Sequence, residues 1–178
     1  MPYTIEEHQH RFAAWSAGRA ASVNRCRFSV LQARDIIEAA GLNLLLGDPN
    51  NLPLPDEIDL THCEWRHSVI LAAQSCGLGF SHGVAAKLIN VYLKASFVCG
   101  GYQSNPNVQA LHPPIDSVLL KELSAQNVGG LRSSWNVAKA VKWSKFNSEQ
   151  YESVIKDIRY SLPGRPLWEV EQYWRGYQ

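Results

Sequence analysis

The stretch Gly77-Leu-Gly-Phe-Ser-His-Gly83 lies between two strong helical patterns, and its reading decides the fold. Gly77 can end the preceding helix in the left-handed conformation that glycine adopts without steric cost. Gly79 permits a tight turn, Ser81 is a helix N-cap residue, and Gly83 lets the second helix pack closely on the first. Upstream, Thr61-His-Cys-Glu64 has the spacing of a capping box, and the helix it opens carries Trp65, Val69, Leu71 and Ala72. Downstream, the helix capped by Ser81 runs to about Cys99, before Gly100-Gly101. Two helices joined by so short a connection form a hairpin. Its corner turns backbone N–H groups and a helix N-terminus outward, which makes a ready phosphate site.

Working outward, helix signals recur and strand signals do not. Thr4-Ile-Glu-Glu7 is a capping box opening a helix to about Ser22, with Phe12, Trp15 and Arg19 on one face. Ser29-Val-Leu-Gln32 is another, with Phe28 as its staple residue and Gly41 at the far end of its helix. Three prolines between Pro49 and Pro55 make that stretch a loop. Beyond the hairpin come a polar loop, Tyr102–Pro114, and a helix over Ile115–Ala125 broken at Gly129-Gly130. Then follow helices over Trp135–Trp143, from about Ser148 to Tyr160, and from Pro166 to Trp174. The chain is therefore predicted to be all-α, a single compact domain of about eight helices over residues 1–178. Its helix–hairpin–helix unit spans about residues 61–99, followed by a loop and helix over residues 100–125.

The composition agrees. Of 178 residues, 46% are hydrophobic and 19% charged, enough apolar material for a core and too much for a disordered chain. The longest apolar run, Val84–Cys99, contains Lys87 and Lys94 and is too short to span a bilayer. The polar start is no signal peptide, and four scattered cysteines fit a reduced, intracellular protein, cytoplasmic or nucleoid-associated. The net charge of +1 hides an asymmetry. Between Trp65 and Ser148 there are eight basic residues and two acids, Asp116 and Glu122. Such a stretch suits a polyanion, or is simply a solvated face.

Hairpin and downstream loop together resemble the helix–hairpin–helix DNA glycosylase superfamily, and within it the 8-oxoguanine glycosylases. The residues that carry the likeness are Gly77-Leu78-Gly79, three variable residues and Gly83, then Pro113-Pro114-Ile115-Asp116 before Val118-Leu119-Leu120. The resemblance covers about a third of the chain. It implies base-excision repair of double-stranded DNA, with Gly77, Gly79, His82 and Gly83 on the phosphate backbone. It also implies that Asp116 is catalytic, its carboxylate stabilising the positive charge that builds on deoxyribose as the N-glycosidic bond breaks. Ser81 stands where lyase-competent members place a catalytic lysine, which implies a monofunctional hydrolase. Lys87 is the nearest other amine. It lies six positions on, about 240° round the helix from Ser81, and is expected to face away from the pocket that Ser81 faces. The loop before Asp116 is longer than is usual in the family, and no four-cysteine cluster exists for an iron–sulfur centre.

Lys139, Lys142 and Lys145 alternate with Trp135 and Trp143 in a segment without acids, which suits DNA phosphates. Asp116 equally has the position of a plain N-cap. Cys63 and His67 share a helix face, but further ligands would come from far along the chain, so neither metal nor cofactor is expected. A non-catalytic helix–hairpin–helix module that binds DNA or protein is the alternative. A cleft beside Asp116 separates the two.

Overall fold

The structure is a computed structural model that describes residues 3–177. Among these residues there are eight α-helices, one π-helical segment and no strand; the nearest approach to one is a single backbone bridge between Val23 and Cys26. The helices are α1 (Ile5–Ala21), α2 (Val30–Ala39), α3 (Ile58–Ser75), α4 (His82–Leu93), α5 (Pro106–Gln109), α6 (Ser117–Ala125), α7 (Arg132–Val141) and α8 (Ser148–Ser161). α4 continues without interruption into the π-helix Lys94–Tyr102, and the chain closes with a 3₁₀ helix over Leu167–Tyr173.

Two apolar clusters make the core. The first joins α1, α2, α3 and α4 through residues such as Ala17, Ile36, Val69 and Leu88. The second joins α6, α7, α8 and the last 3₁₀ helix through Leu119, Trp135, Ile155 and Val170. α4 belongs to both, because its Ala86 packs into the second cluster. Ten of its twelve residues are buried, including Lys87 and Asn90.

The helix ends show where local chemistry won and where it did not. Ser29 and Gln32 form a complete capping box, and so do Asn147 and Gln150 at the start of α8. Thr4 accepts from Glu7 N, but the Glu7 carboxylate pairs with Arg11 instead of returning to the cap. Thr61 is not a cap, contrary to the expectation. α3 begins a turn earlier, where Ile58 is buried and Glu57 accepts from Leu54 N. α7 also starts early, because Asn127 Oδ1 accepts from Arg132 N at 3.0 Å. It ends at Lys142, whose φ is +70° although it is not a glycine.

α3 ends in a Schellman motif. Gly77 has φ +73°, its N–H donates to Gln74 O, and Leu78 N donates to Ala73 O at 2.9 Å. Ser81 then caps α4 by accepting from Val84 N at 3.1 Å. The expectation that Gly83 serves the α3–α4 contact is corrected here. A Cβ at Gly83 would meet Trp143 O at 1.8 Å, so the residue serves the contact with the 3₁₀ turn Trp143–Lys145. Gly83 N donates to Phe146 O, and Ser81 Oγ donates to Ser144 O. The first turn of α4 is therefore covered, which corrects the expectation of an outward helix N-terminus. Since Gly77 N and Leu78 N are spent on α3, the backbone left open at the corner is that of exposed Gly79.

This contact makes Gly83 irreplaceable. Gly83→Ala is expected to cost about 1–3 kcal/mol, because a backbone carbonyl cannot swing aside as a side chain can. Gly79→Ala, with nothing within 4 Å of its added Cβ, should change the urea midpoint little. Equal midpoints for both variants would contradict the packing.

Candidate functional site

A cleft of about 450 Å³ runs between the two clusters. One wall is α1, through Phe12, Ser16 and Ala20, which recur every fourth residue and so share a face. Its floor is α4 and the π-helix, through Lys87, Val91, Lys94, Ala95 and Cys99. The other wall is Pro114, Asp116, Glu171 and Trp174. The lining is mostly apolar, and its charges come as two ion pairs, Lys87 with Asp116 and Lys94 with Glu171.

Asp116 caps α6 and also lines the cleft. One oxygen, Oδ1, accepts from Leu119 N at 2.9 Å and caps α6. The other, Oδ2, accepts from Lys87 Nζ and from Trp174 Nε1, each at 3.0 Å. The cap fixes the carboxylate while leaving Oδ2 turned into the cleft. The Lys87 side chain is 7% exposed and that of Asp116 19%, so the pair sits largely out of water. Burial pushes the Lys87 ammonium below the usual lysine range, and the Asp116 charge opposes that fall. The Trp143 ring lies 5.7 Å from Nζ. Burial raises the carboxyl of Glu171 above its ordinary value, against the pull of Lys94.

Lys87 and Asp116 are thus brought together, while Ser81 is elsewhere, its hydroxyl engaged by Val84 N and Ser144 O. The two residues do lie on different sides of α4, but the expectation that Lys87 is the one turned from the pocket is corrected, because the cleft is on the lysine's side and Ser81 does not line it. The His82 ring is turned inward and accepts from Arg66 Nε at 3.3 Å. Lys139, Lys142 and Lys145 are exposed, with no carboxylate in ion-pair range among the described residues. Lys94, Glu171 and Trp174 escaped sequence reasoning. The sequence marks Pro166–Trp174 only as a closing helix, and the folded chain alone shows that its packing closes a cleft.

A chain of buried polar groups holds the loop that carries Asp116. Arg66 Nη1 donates to His62 Nδ1 at 2.9 Å, so the His62 proton is on Nε2, which donates to Asn90 Oδ1 at 2.7 Å. Asn90 Nδ2 donates to Pro113 O and to the Tyr151 hydroxyl, each at 2.9 Å. Tyr151 in turn donates to His112 Nδ1, and His112 Nε2 donates to Asp59 at 2.9 Å. Arg159 closes the end with a bidentate pair on Asp59. Pro113 is clamped in this way three residues before Asp116. Among the described residues no group of three or more His, Cys, Asp or Glu side chains could hold a metal. No helix among them is long and apolar enough to cross a membrane.

Comparison of the chain with protein-family models, with curated proteins and with solved structures finds no match.

The buried histidines give the fold a pH dependence. Burial holds His62 well below its ordinary 6.5 and lowers His112 as well, so both are neutral when folded. Unfolding lets them charge at their ordinary value, so stability is full above about pH 6.5 and falls as the pH drops below it. Asp59, held far below its ordinary 3.8 chiefly by its hydrogen bond from His112, adds a second loss below that value. The urea midpoint is expected to fall between about pH 7.5 and pH 5. The fall should be shallower in His62→Gln, and a midpoint flat over this range would contradict the network.

Proposed function

We propose that this chain is a base-excision DNA glycosylase that breaks the N-glycosidic bond of a damaged base flipped out of duplex DNA. The observation that carries the reading is an amine and a carboxylate, Lys87 and Asp116, paired on the wall of an apolar cleft. The cleft volume of about 450 Å³ has room for a purine or a pyrimidine, and Phe12 and Trp174 offer it aromatic faces. Lys94 and Glu171 supply a donor and an acceptor at its edge.

In this reading Asp116 Oδ2 takes a proton from Lys87, whose ammonium burial has already weakened. The neutral amine attacks C1′ as the bond to the base breaks, and the bonding electrons leave with the base, which takes the proton from Asp116 and returns it to the carboxylate form. Opening of the sugar ring then gives an iminium between Nζ and C1′, and water hydrolyses it to the abasic sugar and free lysine. Once it has passed that proton on, the Asp116 carboxylate, held in place by its bond from Leu119 N, stabilises the positive charge on the sugar and on the iminium that follows. A purely hydrolytic route, implied by serine at position 81, needs water where the amine already stands.

Borohydride is expected to trap the protein covalently on lesion-bearing duplex, and Lys87→Met to abolish the adduct. Asp116→Asn should lower excision by about 10²–10⁴-fold. It should also cost stability, since its amide N–H₂ would meet two donors, Lys87 Nζ and Trp174 Nε1. Gly79→Val alters only exposed backbone and should weaken duplex binding without lowering the melting temperature. Excision without an adduct would restore the hydrolytic route. Binding without excision across a panel of lesions would favour the non-catalytic module.

A further inference from the structure

The loop between α1 and α2 lies within a run of sequence, residues 8–34, that contains five arginines and no acid. The two outer arginines are neutralised by carboxylates just beyond the run, Arg11 by Glu7 and Arg34 by Asp35 and Glu38. The inner three, Arg19, Arg25 and Arg27, have no carboxylate in ion-pair range among the described residues. Elsewhere in the chain Arg66, Arg159, Arg165 and Arg175 are all paired, which leaves only Arg132 in the same state among the described residues. Among the described residues, unpaired arginine is thus concentrated in the last turn of α1 and the loop that follows it.

That loop is ordered by its own backbone. Val23 N donates to Cys26 O at 3.2 Å and Cys26 N to Val23 O at 2.9 Å, so Asn24 and Arg25 form the tip of a closed turn. Arg19 and Arg27 border a polar hollow of about 350 Å³ that Ser22, Asn24 and Ser29 complete. Arg27 is steadied by donating to Asn24 Oδ1 at 2.8 Å. The loop also abuts the open corner of the α3–α4 hairpin. Cys26 Sγ lies 3.8 Å from Gly79 O, and the Phe28 and Phe80 rings are 4.9 Å apart. At its other end it joins the cleft, because Ala20, next to Arg19, is part of the α1 wall.

We propose that this loop, together with the last turn of α1, is a phosphate-binding arm, with Arg19, Arg25 and Arg27 gripping the backbone of duplex DNA beside the hairpin corner. The proposal rests on the reading of the chain as a DNA-processing protein and adds a second grip to it. Guanidinium suits the task because it presents a planar fork of donors to phosphate oxygens, and an arginine without a carboxylate partner gives up no ion pair to make that contact. Each phosphate neutralised releases counterions, so the grip must be sensitive to salt.

The test is fluorescence anisotropy with a short undamaged duplex, titrated over a range of salt concentrations. The double variant Arg25→Ala/Arg27→Ala is expected to bind about tenfold more weakly at moderate salt. Its slope of log affinity against log salt should be shallower by about 0.9 for each phosphate that is no longer neutralised. Arg11→Ala removes the same kind of charge from a paired residue and should change affinity far less. Arg19→Ala, on the helix outside the turn, gives an independent reading if the double variant folds poorly. A parent that binds duplex as tightly as its arm variants overturns the arm and leaves the glycosylase reading standing. Weaker binding by the arm variants of a parent that excises no base supports the arm and overturns the glycosylase. A parent that binds no duplex overturns both.

Discussion

A helix packed on every side has nowhere to put a charge except into the joint between its neighbours. α4 is that helix: α1, α3, α8 and the turn Trp143–Lys145 surround it, and ten of its twelve residues are buried. Burial of a polar group in such a place costs of order 2–7 kcal/mol when it is left unpaired. Its two long polar side chains are accordingly both satisfied, Lys87 by Asp116 and Asn90 by His62, Pro113 and Tyr151. Those partners lie on segments far apart in sequence, so meeting the needs of α4 brings the loop before α6 against the first cluster.

The same constraint shapes the electrostatics of the cleft. Coulomb forces grow as water is excluded, and the pair at its wall is shielded by Trp174 on one side and Trp143 on another. A capped carboxylate cannot rotate, so the direction of its field in the cleft is fixed by the bond from Leu119 N. In this dry setting the Lys87 ammonium gives up its proton more readily than usual, and the Glu171 carboxyl holds its own more firmly.

The fold class and most elements were legible because capping and glycine signals are local. Ser29, Ser81 and Gly77 do in the structure what their residue types suggest. Errors came where a long-range contact outweighed a local one: Thr61 has a cap's sequence but lies inside a helix that buried Ile58 starts early. Asp116 was legible as a candidate because its surroundings, Pro-Pro-Ile before and an apolar helix after, are contiguous. Its partner was not. The spacing of Lys87 along α4 shows which residues share its face, but not which face meets the loop 29 positions on. Glu171 and Trp174 lie farther still, on a closing segment whose docking only tertiary packing determines.

At Lys142 the backbone holds an L side chain at positive φ. Such a conformation costs about 1–2 kcal/mol, and glycine would remove most of that cost. No carboxylate within ion-pair range among the described residues offsets it by pairing with the lysine's charge. The residue is thus a small standing strain at the surface, at the start of the turn that covers the first turn of α4 and next in line to the exposed Lys139 and Lys145. A variant chosen for thermal endurance alone would place glycine there, and its melting temperature would rise while the surface gave up a charge.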